Sequence, residues 1–472
     1  MRKDIFLLWL FLFALGLRLA VVLAAALAGM GIGLDDMFQY DMLARSLVDG
    51  LGYRWYAAPD LKMLEPYVEF DFTSVQYDPR GMLTSFRPPL YPFFLALVYR
   101  VSGLGFGRFL AARLAQAFIG AALAPLTVLL ARRVFPGNER GARLAGWAIA
   151  AYPMLVLFTL GLGTENLFIP LLLLGTLALL WAGRLGGWRR FALAGVLFGL
   201  ALLTRSVALG ALGLAAGWVW FALRRFRQAL VFLAAAVLVV TPWVVRNSLL
   251  HGHFTWIENA LGYQLYVSYH PTSSGTFNPK VSMDLIRILD DDARNWAGME
   301  AVKGFIRDDP GRVFTLALRR LGYFLGLEKR ILIYFYGNNL LGYLPPGALL
   351  ALMAVVMLPF VALALPAAWG ATLPWRKEAL LVGLVSLGYL LPHLVIISEE
   401  RFHLALLPFI AIFAAQANTR WREIRRGRRW VLALAALLCL LLVANWGFDL
   451  WLDRERLVQI FSPGGNQSHF WY

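Results

Sequence analysis

The sequence predicts an all-α polytopic membrane protein with about eleven transmembrane helices. Three observations carry that prediction. Of 472 residues, 60% are hydrophobic and only 15% are charged, and the mean hydropathy is +0.64. The apolar residues form unbroken blocks such as "ALLALMAVVMLPFVALALPAAW", long enough to cross a hydrocarbon core about 30 Å thick. Basic residues gather in short loops between those blocks: "ARRVFPGNERGAR", "GRLGGWRR", "RRFRQ", "WRKE" and "TRWREIRRGRRW". Such a block must satisfy its backbone hydrogen bonds within one segment, which only a helix does; membrane strands would show weak ten-residue alternation instead.

Taken in order, the first span covers residues 5–28. Its start is basic, with Arg2 and Lys3, but it is longer than a signal-peptide core and reads as an uncleaved helix. Further spans fall near 108–133, 142–160, 165–183, 190–204, 206–223, 228–247, 347–371, 377–397, 402–419 and 429–450. With the basic loops in the cytoplasm, the N-terminus lies inside and the C-terminus outside. The extracytoplasmic side then receives residues 29–107, the "GLGTEN" turn, the "TRS" turn at 204, the stretch 248–346, "ISEER" and the tail from 451. Three parts follow: a transmembrane module over 1–250 that includes the outer loop 29–107, an extracytoplasmic loop with interfacial helices over 251–346, and a C-terminal transmembrane module with its outer tail over 347–472.

Two apolar stretches do not fit as spans. "PPLYPFFLALVYRVSG" (88–103) would place the later basic loops outside, so it is expected to lie at the interface with Tyr91, Tyr99 and Arg100 as wet anchors. "PGRVFTLALRRLGYFLGLEKR" carries Arg319 and Arg320 within an apolar stripe and is placed likewise. "YVEFDFTSVQY" alternates apolar and polar side chains, which predicts a strand or hairpin in the first outer loop. Residues 281–309 have helical spacing and mixed charge, as expected of a small helical subdomain outside the membrane.

Several function classes drop out. The net charge of +16 sits in short loops rather than in a basic patch interleaved with aromatics, so nucleic acid is not an expected partner. The single cysteine, Cys439, lies in an apolar run, which excludes a disulfide framework and a thiolate metal cluster and leaves packing as its role. Neither G-x-x-x-x-G-K-[ST] nor H-E-x-x-H occurs, removing the main support for an ATP-driven pump or a zinc protease. His251, His253 and His270 have no zinc-site spacing and read as loop histidines.

The orientation places Asp35, Asp36, Arg87, Glu165, Arg205, Arg246, His393, Glu399, Glu400 and Arg401 near one face. Ionisable groups at membrane depth are costly and tend to mark sites. The competing reading of each is a solvated helix end or a snorkelling anchor.

Six blocks in order carry a resemblance: "LDDMFQYDMLARSLVDGLGY", "FRPPLYPFFLALVY", "TEN", "GVLFGLALLTRSVALG", "TPWVVRNSLLHGHFTWIENALGYQLYVSYHP" and "EERFHLALLPFIAIFAA". The chain resembles the bacterial protein-mannosyltransferase-like membrane glycosyltransferases of the GT-C superfamily, which also holds the lipid A aminoarabinose transferases. The resemblance implies a GT-C fold, a polyprenyl-phosphate sugar donor, and a lipid, glycan or protein acceptor. It also implies a bacterial cytoplasmic membrane location, with the active site on the extracytoplasmic face under the first outer loop.

The family pattern is an Asp, a Tyr four residues on, then Leu-Ala, matched by Asp36, Tyr40, Leu43 and Ala44. It implies that Asp36, rather than Asp35, acts as or positions the general base. Glu165 matches a second acidic position that is Asp in some relatives, and Arg87 matches a basic position that contacts the lipid phosphate. Glycosyl transfer from a phosphate-linked donor needs a base at the acceptor hydroxyl and positive charge at the departing phosphate. Arg205, Arg246 and Arg401 are further phosphate candidates because a guanidinium can chelate two oxygens. The alternative for Arg246 is an interfacial anchor after "TPW", and for Arg205 a partner for Glu165.

Asp35, Tyr40, Tyr263 and His393 complete the expected substrate contacts. Tyr263, Tyr266, Tyr269 and Trp256 form an aromatic set that suits either sugar stacking or an interfacial belt. The analogy favours inversion by direct displacement at the anomeric carbon. No cofactor is expected; a divalent cation on Asp35, Asp36 and Glu165, as in the oligosaccharyltransferases, is the alternative. The chain departs from the family in a long insert between Tyr53 and Arg87, and in Ser206, where relatives commonly carry Pro. A transporter or flippase of a lipid-linked anion is the rival function, although the polar residues sit at span ends rather than at the midplane.

Overall fold

The computed structural model describes residues 4–73, 75–329 and 344–462. Arg2 and Lys3, residues 330–343 of the predicted outer stretch, and residues 463–472 of the tail lie outside the described residues. Among the described residues the protein is all-α apart from one two-residue ladder, in which Arg54–Trp55 pairs antiparallel with Met82–Leu83.

Among the described residues eight helices are long and apolar enough to cross a membrane. They include α1 (Ile5–Leu27) and the continuous pair α5 (Gly107–Ala121) and α6 (Leu123–Val134). A further predicted span is a broken one. Helices α7 (Glu139–Ala150) and α8 (Pro153–Leu157, continued to Leu160) meet at 49°, because a proline at the start of the second segment interrupts the backbone ladder. α9 (Glu165–Leu185) spans. The predicted spans 190–204 and 206–223 fold as α10 (Trp188–Leu202) and α11 (Ala208–Gly217), the latter running on as a π-turn to Ala222. Each is about 22 Å long, short of the hydrocarbon thickness. α12 (Phe226–His251) and the helices Pro346–Gly370, Lys377–Val395, Glu400–Thr419 and Arg429–Leu452 complete the spanning set.

Between these helices lie α2 (Asp36–Val48), α3 (Ala58–Leu64) and α4 (Leu90–Ser102), then α13 (Leu261–Tyr269), α14 (Pro279–Ile286), α15 (Asp291–Asp308) and α16 (Gly311–Phe324). α4 and α16 are the two stretches expected at the interface, and α14 and α15 are the expected helical subdomain. The predicted strand over "YVEFDFTSVQY" does not form; its one pairing is a bridge between Asp71 and Ile288. Its alternation is used by tertiary contacts instead. Phe70 packs on Tyr56 at 5.1 Å, Phe72 meets Tyr77 at 5.3 Å, and the Asp71 amide donates to the Arg287 carbonyl at 3.0 Å. Cys439 packs against the Leu365 carbonyl.

Small residues let the spans approach closely, the usual device where lipid offers no hydrophobic drive. Gly195 of α10 lies against the Phe232 backbone of α12, and Gly210 of α11 lies against Gly388 backbone to backbone. At one end of the bundle Arg132 pairs with Asp4 and Glu139 at 2.6 Å each, and Arg143 pairs with Glu139 at 2.8 Å. The basic loop around 132–143 therefore lies beside the start of α1, whose length of about 34 Å separates it from Asp36.

α2 is fixed at both ends of its charge pattern. The Asp35 carboxylate caps it by accepting from the Met37 amide at 2.8 Å. Asp41, fully buried, accepts from Arg108 and Arg45 at 2.8 Å each and from the Tyr99 hydroxyl at 3.0 Å. Two arginines and a phenol compensate one carboxylate, tying α2 to α4 and α5.

Replacing Gly210 by Val should force α11 away from Gly388 and destabilise the protein by about 1–3 kcal/mol. Gly213→Ala, at an open position, should not. Thermal unfolding in detergent compares the two; equal midpoints would refute the close-packing role.

Candidate active site

Five chain segments deliver the charged groups. Asp36 is the first residue of α2, and Glu165 is the first of α9. Arg87 precedes the Pro88-Pro89 entry to α4, where the Tyr53 hydroxyl donates to the carbonyls of Arg87 (3.0 Å) and Pro88 (3.2 Å). Arg205 follows α10, and Leu203 there accepts from the Leu90 amide at 2.9 Å, joining the two arginine segments. Arg401 lies in the 3₁₀ turn Glu400–Leu406.

A buried network holds that turn. His403 Nδ1 donates to the Phe324 carbonyl at 2.8 Å, and Nε2 lies 3.0 Å from Glu328, which also accepts from the Tyr152 hydroxyl at 2.7 Å. Phe360 stacks on the same imidazole at 3.9 Å. Three groups thus meet on Glu328 Oε1 and His403, joining the turn to the segments that carry Tyr152 and Phe324.

Asp36 is the hub of the site. Its Oδ1 accepts from Arg87, and its Oδ2 lies 3.6 Å from the Arg401 guanidinium. Arg87 Nε donates to Gln39 Oε1 at 2.8 Å, and Arg401 Nε pairs with Glu399 at 2.7 Å. Arg205 pairs with Glu165 at 2.6 Å. The Phe402 ring lies 4.9 Å from the Arg205 guanidinium and 5.4 Å from that of Arg401, and Arg87 lies over Tyr40 and Phe86. Water reaches the centre: Asp36 is 40% exposed and Arg401 39%, against 8% for Glu165. The picture is a recess with Asp36 and Arg401 open and Glu165 behind Arg205.

Burial pushes the Asp36 carboxyl up, but the charges of Arg87 and Arg401 outweigh it and hold it below the usual carboxylate range. Asp35, crowded by protein and beside the Asp36 charge, is pushed up to about 6. Burial raises the Tyr40 hydroxyl to about 12, so it remains a neutral donor.

The structure thus brings Asp36, Arg87, Arg205, Arg401, Glu165 and Tyr40 together. Tyr263 joins them, its ring meeting Phe86 edge-on at 5.2 Å and its hydroxyl within the influence of Arg87 and Asp36. Arg246 is not part of the cluster. It donates to the Thr84 carbonyl at 2.6 Å and packs on Trp243 at 4.9 Å, anchoring the loop from behind. His393 is buried behind Phe402, stacked at 4.7 Å. Asp35 is a helix cap. Tyr266 donates to Asp284, and Tyr269 packs on Arg320, both within the outer subdomain.

The sequence reading missed Glu258. Ser206, at the position where the resemblance expects Pro, donates its hydroxyl to Glu258 Oε1. Burial raises the Glu258 carboxyl against the pull of Arg87 and Arg205. The available signal was an acid between apolar neighbours in "TWIENA".

The helical subdomain packs on the segment that leads to Arg87. Asp291 accepts from the Thr84 hydroxyl (2.7 Å) and the Ser85 amide (2.6 Å), and Arg294 lies over Trp55 and Phe86. Asp292 takes His251 at 3.0 Å and His253 at 3.1 Å. Among the described residues no group of three or more His, Cys, Asp or Glu side chains is arranged to hold a metal ion.

Residues 86–245 match the family model described as dolichyl-phosphate-mannose-protein mannosyltransferase. No curated protein matches the chain. Among solved structures, ArnT from Cupriavidus metallidurans bound to undecaprenyl phosphate aligns at 17% identity and TM-score 0.50, over 86% of this chain and 61% of that one. The Archaeoglobus fulgidus oligosaccharyltransferase in complex with Zn and sulfate aligns at 14% identity and TM-score 0.51, over 98% of this chain and 56% of that one. This chain therefore spans about three fifths of the length of the structures it matches. Its fold is the GT-C fold, as the resemblance implied.

A depressed folded-state value means the Asp36 carboxylate contributes stability above its unfolded pKa, lost as pH falls through the lower folded value. Arg87→Gln should bring that loss to higher pH, and Asp36→Asn should abolish it. Unfolding in detergent from about pH 3 to about pH 7 should show the two changes non-additive by up to about 1 kcal/mol, the scale for a pair reached by water. Additivity at every pH would refute the coupling.

Proposed function

We propose that the protein is a membrane glycosyltransferase that moves a sugar from a polyprenyl-phosphate carrier to a hydroxyl of a lipid, glycan or protein, with inversion, on the extracytoplasmic face. The observation that carries this reading is one open carboxylate, Asp36, held among three guanidinium groups at a water-reached end of a GT-C bundle. The position of the basic loop around 132–143 one span-length away supports the outer face through the positive-inside rule. A fold shared with a transferase whose structure holds undecaprenyl phosphate supports the carrier class.

In this mechanism the donor phosphate lies among Arg87, Arg205 and Arg401. Their planar N–H groups take up the charge that grows as the bond from the anomeric carbon to the phosphate oxygen breaks. The acceptor hydroxyl approaches the opposite face of that carbon while hydrogen-bonded to Asp36. Because Asp36 is a weak base, the proton moves late, once the attacking oxygen has begun to bond to carbon and has become acidic. Polyprenyl phosphate leaves as a stabilised anion and needs no general acid. Retention would require a second carboxylate free to act as nucleophile. Glu165, 8% exposed and paired with Arg205, is placed to hold that arginine instead.

A divalent cation does not fit this set. Asp36 and Glu165 are committed to guanidinium partners, and Asp35 to a backbone amide. The arginines supply the positive charge that a cation would bring.

Purified protein incubated with labelled polyprenyl-phosphate sugars and membrane extract should transfer label, and Asp36→Asn should lower the rate by about 10²–10⁴-fold, the range of general-base catalysis. Undiminished transfer by that variant would remove Asp36 from its role. Transport of carrier without transfer would favour a flippase. Transfer should also survive chelation by EDTA; loss restored by added Mg²⁺ or Mn²⁺ would overturn the arginine-only arrangement.

A further inference from the structure

Glu258 is a carboxyl at the recess that the proposed mechanism leaves without a task. Its backbone neighbours are clamped: the Ile257 carbonyl accepts from Trp243 Nε1 at 2.9 Å and Asn247 Nδ2 at 3.1 Å, and the Asn259 amide donates to the Ser85 carbonyl at 2.9 Å. Ser85 is two residues from Arg87, and Ser206 directly follows Arg205. The side chain is therefore fixed between the segments that carry two of the phosphate arginines. Oε1 is held by the Ser206 hydroxyl. Oε2 makes no hydrogen bond among the described residues, and it is not among the side-chain atoms sealed from water without a partner. No arginine or lysine lies within ion-pair distance of Glu258 among the described residues, unlike Asp36, Glu165 and Glu399. A rigidly placed acceptor beside the arginines, open to water and paired with none, is free to take a donor from a bound ligand.

We propose that Glu258, oriented by Ser206, reads the donor sugar by accepting a hydrogen bond on Oε2 from a ring hydroxyl or amino group. The Ser206 bond and the Asn259–Ser85 backbone bond set it beside the segments of Arg205 and Arg87, two of the arginines assigned to the donor phosphate. The inference rests on the transferase reading above and adds the group that selects the sugar. A carboxyl so placed rejects a donor lacking the matching O–H or N–H, because its own acceptor would be left unpaired.

The test uses the full-length protein in detergent with polyprenyl-phosphate sugars, deoxy analogues that each lack one hydroxyl, an amino-sugar donor and the bare polyprenyl phosphate. Glu258→Gln should lower kcat/KM for the preferred donor by about 10- to 100-fold, the worth of a hydrogen bond to a charged acceptor. It should leave unchanged the already poor rate with the analogue lacking the group that is read. Ser206→Ala should show the same analogue-dependent loss, smaller in size, and serves if Glu258→Gln does not fold. A loss concentrated on the amino-sugar donor supports the assignment with an ammonium as the group read; a loss on hydroxylated donors supports it with a hydroxyl. An equal loss across every donor and analogue overturns it.

Binding separates this inference from the function beneath it. Wild type should gain more thermal stability from the glycosylated carrier than from bare polyprenyl phosphate, and Glu258→Gln should lose that difference. Sugar-dependent binding without transfer by wild type, lost in Glu258→Gln, would count against the transferase reading and support Glu258 as sugar reader. Identical binding of glycosylated and bare carrier by both proteins would overturn the assignment to Glu258.

Discussion

The site depends on charge compensation around Asp36. A carboxylate at the edge of a hydrocarbon slab is unfavourable unless positive groups meet it, and Arg87 and Arg401 do so from two directions. Each of those arginines is oriented in turn by a second acceptor, Gln39 for one and Glu399 for the other. Neither guanidinium is free to swing away, and the carboxylate stays ionised and open to water. Arg205 and Glu165 repeat the arrangement deeper in the recess, with Phe402 between the guanidiniums of Arg205 and Arg401.

Much of the remaining architecture serves to keep those groups in register. The buried Asp41 cluster seats α2, so that its first residue, Asp36, points at the arginines. The Leu90 to Leu203 hydrogen bond joins the Arg87 and Arg205 segments, and the His403–Glu328–Tyr152 network fixes the turn that carries Arg401. Asp291 and Arg294 hold the helical subdomain against Thr84, Ser85, Trp55 and Phe86. Rigid spans at depth and polar clamps at the rim give a preorganised centre, the arrangement that electrostatic catalysis requires.

Legibility from the sequence followed the range of the interaction. Every apolar block read as a span became helical, the block 142–160 as two segments broken at Pro153, because helix formation and hydrophobicity are local properties. The two that fell short in length, α10 and α11, are apolar yet interrupted: the first opens on Arg189 and Arg190, and the second ends in a π-turn. The alternation of "YVEFDFTSVQY" predicted a strand, but aromatic contacts and a remote backbone partner claimed those side chains. Asp36 and Arg87 were legible through the motif they belong to. Glu258 was not, since it lies in no motif and acquires its place only through Ser206 and the clamps on its neighbours.

The sequence by itself determined the class of protein, the approximate ends of its helices, and the kinds of charged group collected at one end of the bundle. Hydropathy and the distribution of arginines are read residue by residue and survive any packing of the helices. The tertiary structure alone decided the pairings: Asp36 with Arg87 and Arg401, Glu165 with Arg205, Arg246 turned to the Thr84 carbonyl, and Asp35 spent on a helix cap. The physical reason is that a guanidinium has many acceptors within its chemistry but few within its reach, and reach is set by helices that meet from distant parts of the chain.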